Sequence, residues 1–383
     1  MAGALKVRVH NAIDEVPSIQ WNRLVQDNHP FLRHEFLHAM ELHRCVGKRF
    51  GWLPRHIGVY DDSDELLGAM PLYEKHNSYG EFVFDHAWAD AFQRNGLAYY
   101  PKLVSAIPYT PARGQRLLAR TGTQSEVYPL LLNRALQLTR QLGCSGFHCL
   151  FPLPAEHRFL NRQLLSRHDC QFHWHNRQYR DFDEFLGRLN AKKRKNIRQE
   201  RRRASRAGVV IRRLDGFTAS EQDWRHFSRF YEQTFQEKWG LATFNNEFFS
   251  EVARRMPDQV LLVLADLDGR CIAGALMYRS DHTLYGRHWG CSQQVDALHF
   301  EVCYYQGIEY CIEQGLAHFE PGAQGEHKMA RGFLPAGTES NHWLVDQRFY
   351  EPIARFVQHE RDAVSDYMEK LAASSPYRQE SSS

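Results

Sequence analysis

No apolar run in the 383-residue chain approaches the ~20 residues that a membrane-spanning helix needs, and no secretory h-region is present. The opening MAGALKVRVH enters an alternating, strand-like pattern at once, so a cytoplasmic location is expected. The eight cysteines, Cys45, Cys144, Cys149, Cys170, Cys271, Cys291, Cys303 and Cys311, contain no Cys-x-x-Cys pair and no small secreted framework to staple. They read as free thiols, mostly buried. A net charge of only +3 predicts no polyanion partner by itself.

What is present is ordinary for a folded protein: 43% apolar and 24% charged residues, on a length that suits two domains. Strand-like patterns are expected near 5–10, 55–60, 66–74, 81–85, 102–108, 147–151 and 171–175, with helices near 31–43 and 125–142. After a basic, helix-prone stretch from Asp181 to Arg206, a strand at 209–212 begins a second unit. It continues with helices near 219–237 and 245–255, strands near 259–266, 271–279 and 283–289, a helix at 299–314 and a strand at 316–320. The fold class is therefore mixed α/β (α+β), with an N-terminal domain over 1–178, a C-terminal domain over 179–373 and a disordered tail over 374–383. The halves look alike: GVYDDSDELLGAMPLYEK at 58–75 aligns by eye with LVLADLDGRCIAGALMYRS at 262–280, each a strand, acidic turn and strand with a Gly-Ala pair (Gly68-Ala69, Gly274-Ala275).

Chemistry-bearing residues concentrate after the 299–314 helix. Gly315 ends it, and the chain passes through Leu316–Glu320 into PGAQGEHKMARGF, where glycines permit close backbone approach to a ligand. Acyl transfer to an amine needs a proton acceptor and an oxyanion stabiliser. Glu320 and His327 are the candidate bases, with His288 on the neighbouring strand. Gln324, Glu326, Lys328, Arg331 and Arg287 are candidate substrate contacts, as are Asp85 and His86 at an expected strand end in the first half. Between 188 and 206 there are ten Lys or Arg and one Glu, enough for a salt-dependent phosphate contact, with Arg194 and Arg198 one turn apart. HEFLH at 34–38 is a literal His-Glu-x-x-His, the spacing of a zinc peptidase, but Arg33 flanks it and no third ligand is evident.

Three stretches carry a resemblance to a known family: HPFLRHEFLHAME (29–41), LNAKKRKNIRQERRRASRAGVVI (189–211), and GRHWGC (286–291) with LHFEVCYYQGIEYCIEQGLAHFEPGAQGEHKMARGF (298–333). The chain resembles GNAT acyltransferase domains in a Fem-like tandem, and bacterial predicted N-acyltransferases described as peptidoglycan biosynthesis or recognition proteins. The resemblance implies two tandem GNAT-like domains, each a mixed, mostly antiparallel sheet flanked by helices. It implies an N-acyltransferase with an amino-bearing small-molecule or cell-wall precursor as acceptor. The donor would be acetyl-CoA or another acyl-CoA, or aminoacyl-tRNA held at 188–206, and no metal is expected. The alternative is a non-catalytic module that binds a cell-wall precursor or nucleic acid. CSQQVDALH stands where the family's phosphate-binding glycine loop is expected; IPYTPARGQRLL (107–118) is the nearest match, with Pro108, Arg113 and Gly114 resembling that loop and Arg116 adding charge.

Overall fold

A computed structural model describes residues 5–237, 240–323 and 325–378. Compactness divides the chain into one unit of Met1–Asp169 with Gly337–Asp366, and a second of Cys170–Ala336 with Tyr367–Ser383. This differs from a linear division at 178/179, because residues 337–366 return to the first unit.

The first unit contains β1 (Lys6–His10), α1 (Ser18–Asn22), α2 (His34–Leu42), β2 (Trp52–Pro54), β3 (His56–Tyr60), β4 (Leu66–Met70), β5 (Tyr73–Lys75), α3 (His86–Arg94), β6 (Lys102–Ser105), β7 (Leu118–Ala119), α4 (Gln124–Gln141), β8 (Gly146–Leu150) and α5 (Pro154–Leu160). Strands β1, β3, β4 and β7 form an antiparallel sheet in that order. β5 pairs antiparallel with β2 and with β6, whereas β6 and β8 run parallel. The apolar stripe of α4, with Val127, Leu131 and Ala135, packs against Ile57, Val59 and Phe147. An expected strand at 81–85 does not form: Asp85 immediately precedes α3, and its carboxylate is drawn into a buried ion cluster.

The second unit starts in β9 (Leu165–His175), whose first residues belong to the other unit. It continues with α6 (Phe182–Arg188), α7 (Ala191–Arg206), β10 (Val210–Leu214), α8 (Glu221–Glu237), α9 (Asn246–Arg255), β11 (Val260–Leu267), β12 (Arg270–Arg279), β13 (Thr283–Cys291), α10 (Leu298–Phe300), α11 (Gln306–Glu313) and β14 (His318–Glu320). β15 (Leu334–Leu344) and α12 (Tyr350–Ala373) each cross between the units. The basic stretch is two helices, because Leu189 is extended and Asn190 caps α7 by accepting from the Lys193 N–H at 3.0 Å. Within this unit the strand order is β10-β11-β12-β13-β14-β9. Every neighbouring pair is antiparallel except β13 and β14. β11 and β12 are central and nearly all buried, which suits their unbroken apolar runs.

The sequence repeat is a structural one. Gly68 lies opposite Val59 in one hairpin and Gly274 opposite Leu264 in the other, and each hairpin slips register just beyond, at Val59/Tyr60 and Ala265/Asp266. Each unit then returns by a helix to a parallel pair, β6 with β8 and β13 with β14. The tail expectation needs correction as far as Arg378. Pro376 accepts from the Asn190 N–H at 3.0 Å, Leu189 and Tyr377 form a bridge, and the Tyr377 hydroxyl donates to the Gly332 carbonyl at 2.7 Å. Residues 379–383 lie outside the described residues.

β13 is held to α8 by contact without clearance. A Cβ on Gly290 would stand 2.2 Å from the Phe230 carbonyl oxygen of α8. Gly290→Ala is therefore expected to destabilise the protein by about 1–3 kcal/mol, read as a lower denaturation midpoint in urea.

Candidate functional site

Parallel pairing of β13 with β14 lasts three residues, Thr283 to Tyr285 against His318 to Glu320. Beyond it β13 runs on, while the other chain leaves through Pro321 and Gly322. Between them lies a cavity of about 230 Å³. It is lined by Leu276 and Met277 of β12, by Arg287, His288 and Trp289 of β13, and by His299, Cys303, Tyr304 and Lys328. The register of β13 slips here: Leu276 faces His288 but Met277 faces Gly286, which leaves Arg287 as the extra residue of a bulge. A bulge beside a cavity re-aims the strand's side chains at what the cavity holds.

Three features decide what this cavity can do. Lys328 is buried, and its Nζ donates to the Gly322 carbonyl at 2.7 Å. Burial pulls its pKa down to about 8, with the neighbouring Cys303 acting weakly the other way. A buried ammonium pinned to one carbonyl retains donors for an anion or a developing oxyanion. Next, Tyr304 Oη lies 3.0 Å from His327 Nε2, which joins an exposed histidine to the cavity wall. Burial and then the Arg331 and Lys328 charges depress the pKa of His327, favouring the neutral, proton-accepting ring. Finally, Glu320, at the end of β14, acts electrostatically on Arg287. Burial lowers the Arg287 pKa to about 10, which leaves it charged at neutral pH.

Five residues between α10 and α11, Glu301–Tyr305, are wound as a π-helix, which turns both Cys303 and Tyr304 toward the cavity. Apolar periodicity alone marks these two as core, and that is why they do not stand out as site residues in the sequence. His288 is ringed by Tyr231, Phe244 and Phe249 at 5.0–6.0 Å, and desolvation drives its pKa well below the ordinary value. It lines the cavity as a neutral imidazole.

Other expected site residues are placed elsewhere. Arg331 is held within the protein: its guanidinium donates to Glu200 at 2.8 Å and to the His327 carbonyl at 2.7 Å, and it stacks on Phe300. Glu326 is exposed and accepts from the Tyr367 hydroxyl at 2.6 Å. Gln324 lies outside the described residues. In the first unit Asp85 is buried with Lys102, Glu81 and Tyr99, and its pKa is lowered because Lys102 and hydrogen bonds outweigh desolvation. His86 is exposed at the start of α3.

The 107–118 segment does not fit a phosphate-binding loop. Pro108 and Gly114 are buried, and a Cβ at Gly114 would meet the His29 ring at 2.8 Å. Arg116 is wholly buried and donates to the carbonyls of Ala112, Gln115 and Leu150. The Arg116 and Leu117 N–H groups are taken by Glu156, and Arg113 binds Glu339 at 3.1 Å. The Gly114 N–H is also taken, donating to the Phe151 carbonyl at 3.1 Å. The His-Glu-x-x-His pattern is helical, but His34 Nε2 is 3.0 Å from the Ile13 carbonyl and Glu35 is held by Arg33 and Asn22. Among the described residues no group of three His, Cys, Asp or Glu is arranged for a metal.

Residues 12–379 match the FemAB-like family, described as peptidoglycan biosynthesis/recognition, and the chain belongs to that family. No curated protein matches it. Among solved structures, a FemX crystal structure is similar at 13% identity and a TM-score of 0.53, covering 91% of this chain and all of that one. The C-terminal domain of a putative lysylphosphatidylglycerol synthetase from Agrobacterium fabrum is similar at 9% identity and a TM-score of 0.51, covering 91% of this chain and 96% of that one. These likenesses establish the fold: two tandem GNAT-like units of mixed sheet flanked by helices.

Because Lys328 carries a lowered pKa when folded, the unfolded chain binds more protons between about pH 8 and pH 10.5, and this residue's contribution to stability rises with pH across that window. Isotope-edited NMR should show two lysines titrating below the usual range, Lys75 near pH 7 and Lys328 near pH 8, and only the second resonance should be missing in Lys328→Met.

Proposed function

We propose that the protein is an N-acyltransferase of cell-wall metabolism that moves an acyl or aminoacyl group, carried as an ester, to an amine of a peptidoglycan-precursor acceptor, in the cavity beside β13. The observation that carries this reading is the buried Lys328 ammonium, held to a single carbonyl at the mouth of the β13/β14 splay. When an amine attacks an ester carbonyl, charge accumulates on the carbonyl oxygen, and a fixed cation in a dry cavity stabilises it more than it stabilises the neutral ester. Glu320 is the base for the amine proton; the Tyr304 hydroxyl gives its proton to the departing alkoxide as the carbon–oxygen bond breaks and regains one from solvent through the exposed His327. Arg287 and neutral His288 shape the floor.

The donor in this reading is an aminoacyl-tRNA rather than an acyl-CoA. Residues 107–118 hold a single glycine, whose N–H donates to the Phe151 carbonyl, and 291–297 hold none. α7 instead presents Lys192, Lys195, Arg202 and Arg206 on one exposed face, with no carboxylate partner among the described residues. Three of its other cations are occupied: Arg198 by Asp183, Arg201 by Glu301 and Glu309, and Arg203 by Asp296. Arg194 donates to the Leu189 carbonyl. An unpaired cationic stripe suits phosphates of a polyanion.

The test is incubation with charged tRNA or with acetyl-CoA and a nucleotide-linked muropeptide, with products read by mass spectrometry. An amide product is expected from charged tRNA, reduced about a hundredfold or more in Lys328→Met and Glu320→Gln while melting curves stay close to wild type. Transfer from acetyl-CoA that survives both substitutions would sink the reading. Acceptor binding without product from either donor would instead make the protein a recognition module.

A further inference from the structure

The second unit carries a groove of about 670 Å³ that shares no lining residue with the β13 cavity. Its walls come from the stretch before α6, from α6 itself and from the C-terminal segment at Tyr377 and Arg378. Arg177 lies over the Tyr377 ring at 5.0 Å, and both Arg177 and Arg188 act electrostatically on Tyr179 beneath. Arg378 is fixed beside Arg188: its N–H donates to the Arg188 carbonyl at 2.9 Å, and its Nε donates to the Leu189 carbonyl at 3.2 Å.

Three carboxylates line the same groove, and each is engaged by a neighbouring residue or by α7. Asp181 caps α6 by accepting from the Glu184 N–H at 2.7 Å, Glu184 takes Arg180 at 3.0 Å, and Asp183 takes Arg198 at 2.8 Å. Among the described residues, Arg177, Arg188 and Arg378 form no salt bridge, although Glu184 acts electrostatically on Arg188. Three guanidinium groups without a salt bridge line one groove, and planar forked donors match phosphate oxygens.

We propose that this groove binds a small phosphate monoester, with its phosphate on Arg177, Arg188 and Arg378 and its hydroxyl groups toward Asp181 and Asp183. The acids among the lining residues favour a compact phosphate over a continuous nucleic-acid backbone, because a polyanion laid along the groove would bring further phosphates against Asp181, Asp183 and Glu184.

Calorimetric titration of the full chain with ribose 5-phosphate, inorganic phosphate, ribose and a short single-stranded RNA tests this without any assay of transfer. Ribose 5-phosphate should bind more tightly than inorganic phosphate, and ribose should be silent. Arg188→Gln and Arg378→Gln should each weaken ribose 5-phosphate about tenfold or more with unchanged melting curves. Absence of binding, or binding that both variants retain in full, overturns the proposal. RNA binding that both variants lose, with ribose 5-phosphate silent, overturns it in favour of a nucleic-acid surface. Because the residues probed lie outside the β13 cavity, none of these results depends on the transferase reading.

Discussion

Arg331 is buried with its guanidinium shared among Glu200, the His327 carbonyl and the face of Phe300, and Glu200 also accepts from the Tyr305 hydroxyl. This one interaction ties the 326–331 turn to α7 and to the π-helical stretch. Removing one partner of such a buried pair costs about 3–5 kcal/mol, because the other is left charged and dry. Lys328 sits in the middle of the same turn. Its position over the cavity, and the cavity's Tyr304–His327 wall, therefore depend on a contact that itself touches no ligand.

The two units reach the same topological point and resolve it differently. In each, a parallel strand pair stops after three residues, and a cation donates to a carbonyl just beyond. In the second unit that cation is Lys328 on the Gly322 carbonyl, with a cavity beside it. In the first it is Arg116 on the Leu150 carbonyl, wholly buried, with two further carbonyls completing its hydrogen bonds. The same topological point thus carries a cation in both units, Lys328 held to one carbonyl and Arg116 to three.

Much of the fold was legible in the letters because it rests on local periodicity. The α4 stripe, the β11–β12 hairpin with its Gly-Ala pair and the 246–255 helix fall within a residue or two of expectation. Elements with little apolar period did not show. α12 buries Ile353 and Val357 but exposes most of its length, and the segment before α3 follows the demands of the Asp85–Lys102–Glu81 cluster rather than its own alternation. Of the residues singled out from composition near glycines, Lys328, Arg287 and His288 line the cavity, and His327 reaches its wall through Tyr304. That Arg331 is held by Glu200 and Arg116 by three carbonyls could not be read, because a sequence shows that a residue is cationic and not which acceptors hold it.

By itself the sequence determined the kinds of element, their order, the repeat and the neighbourhood in which chemistry is concentrated, since these depend on side-chain types at short spacing. Tertiary structure decided which charges are free. Glu200 lies far from Arg331 in the chain, Leu150 from Arg116 and Arg378 from Arg188, and only the folded backbone brings each acceptor to its donor. Whether a cation binds a ligand or the protein itself is settled by that pairing, because a buried charge keeps whatever partner desolvation forces upon it.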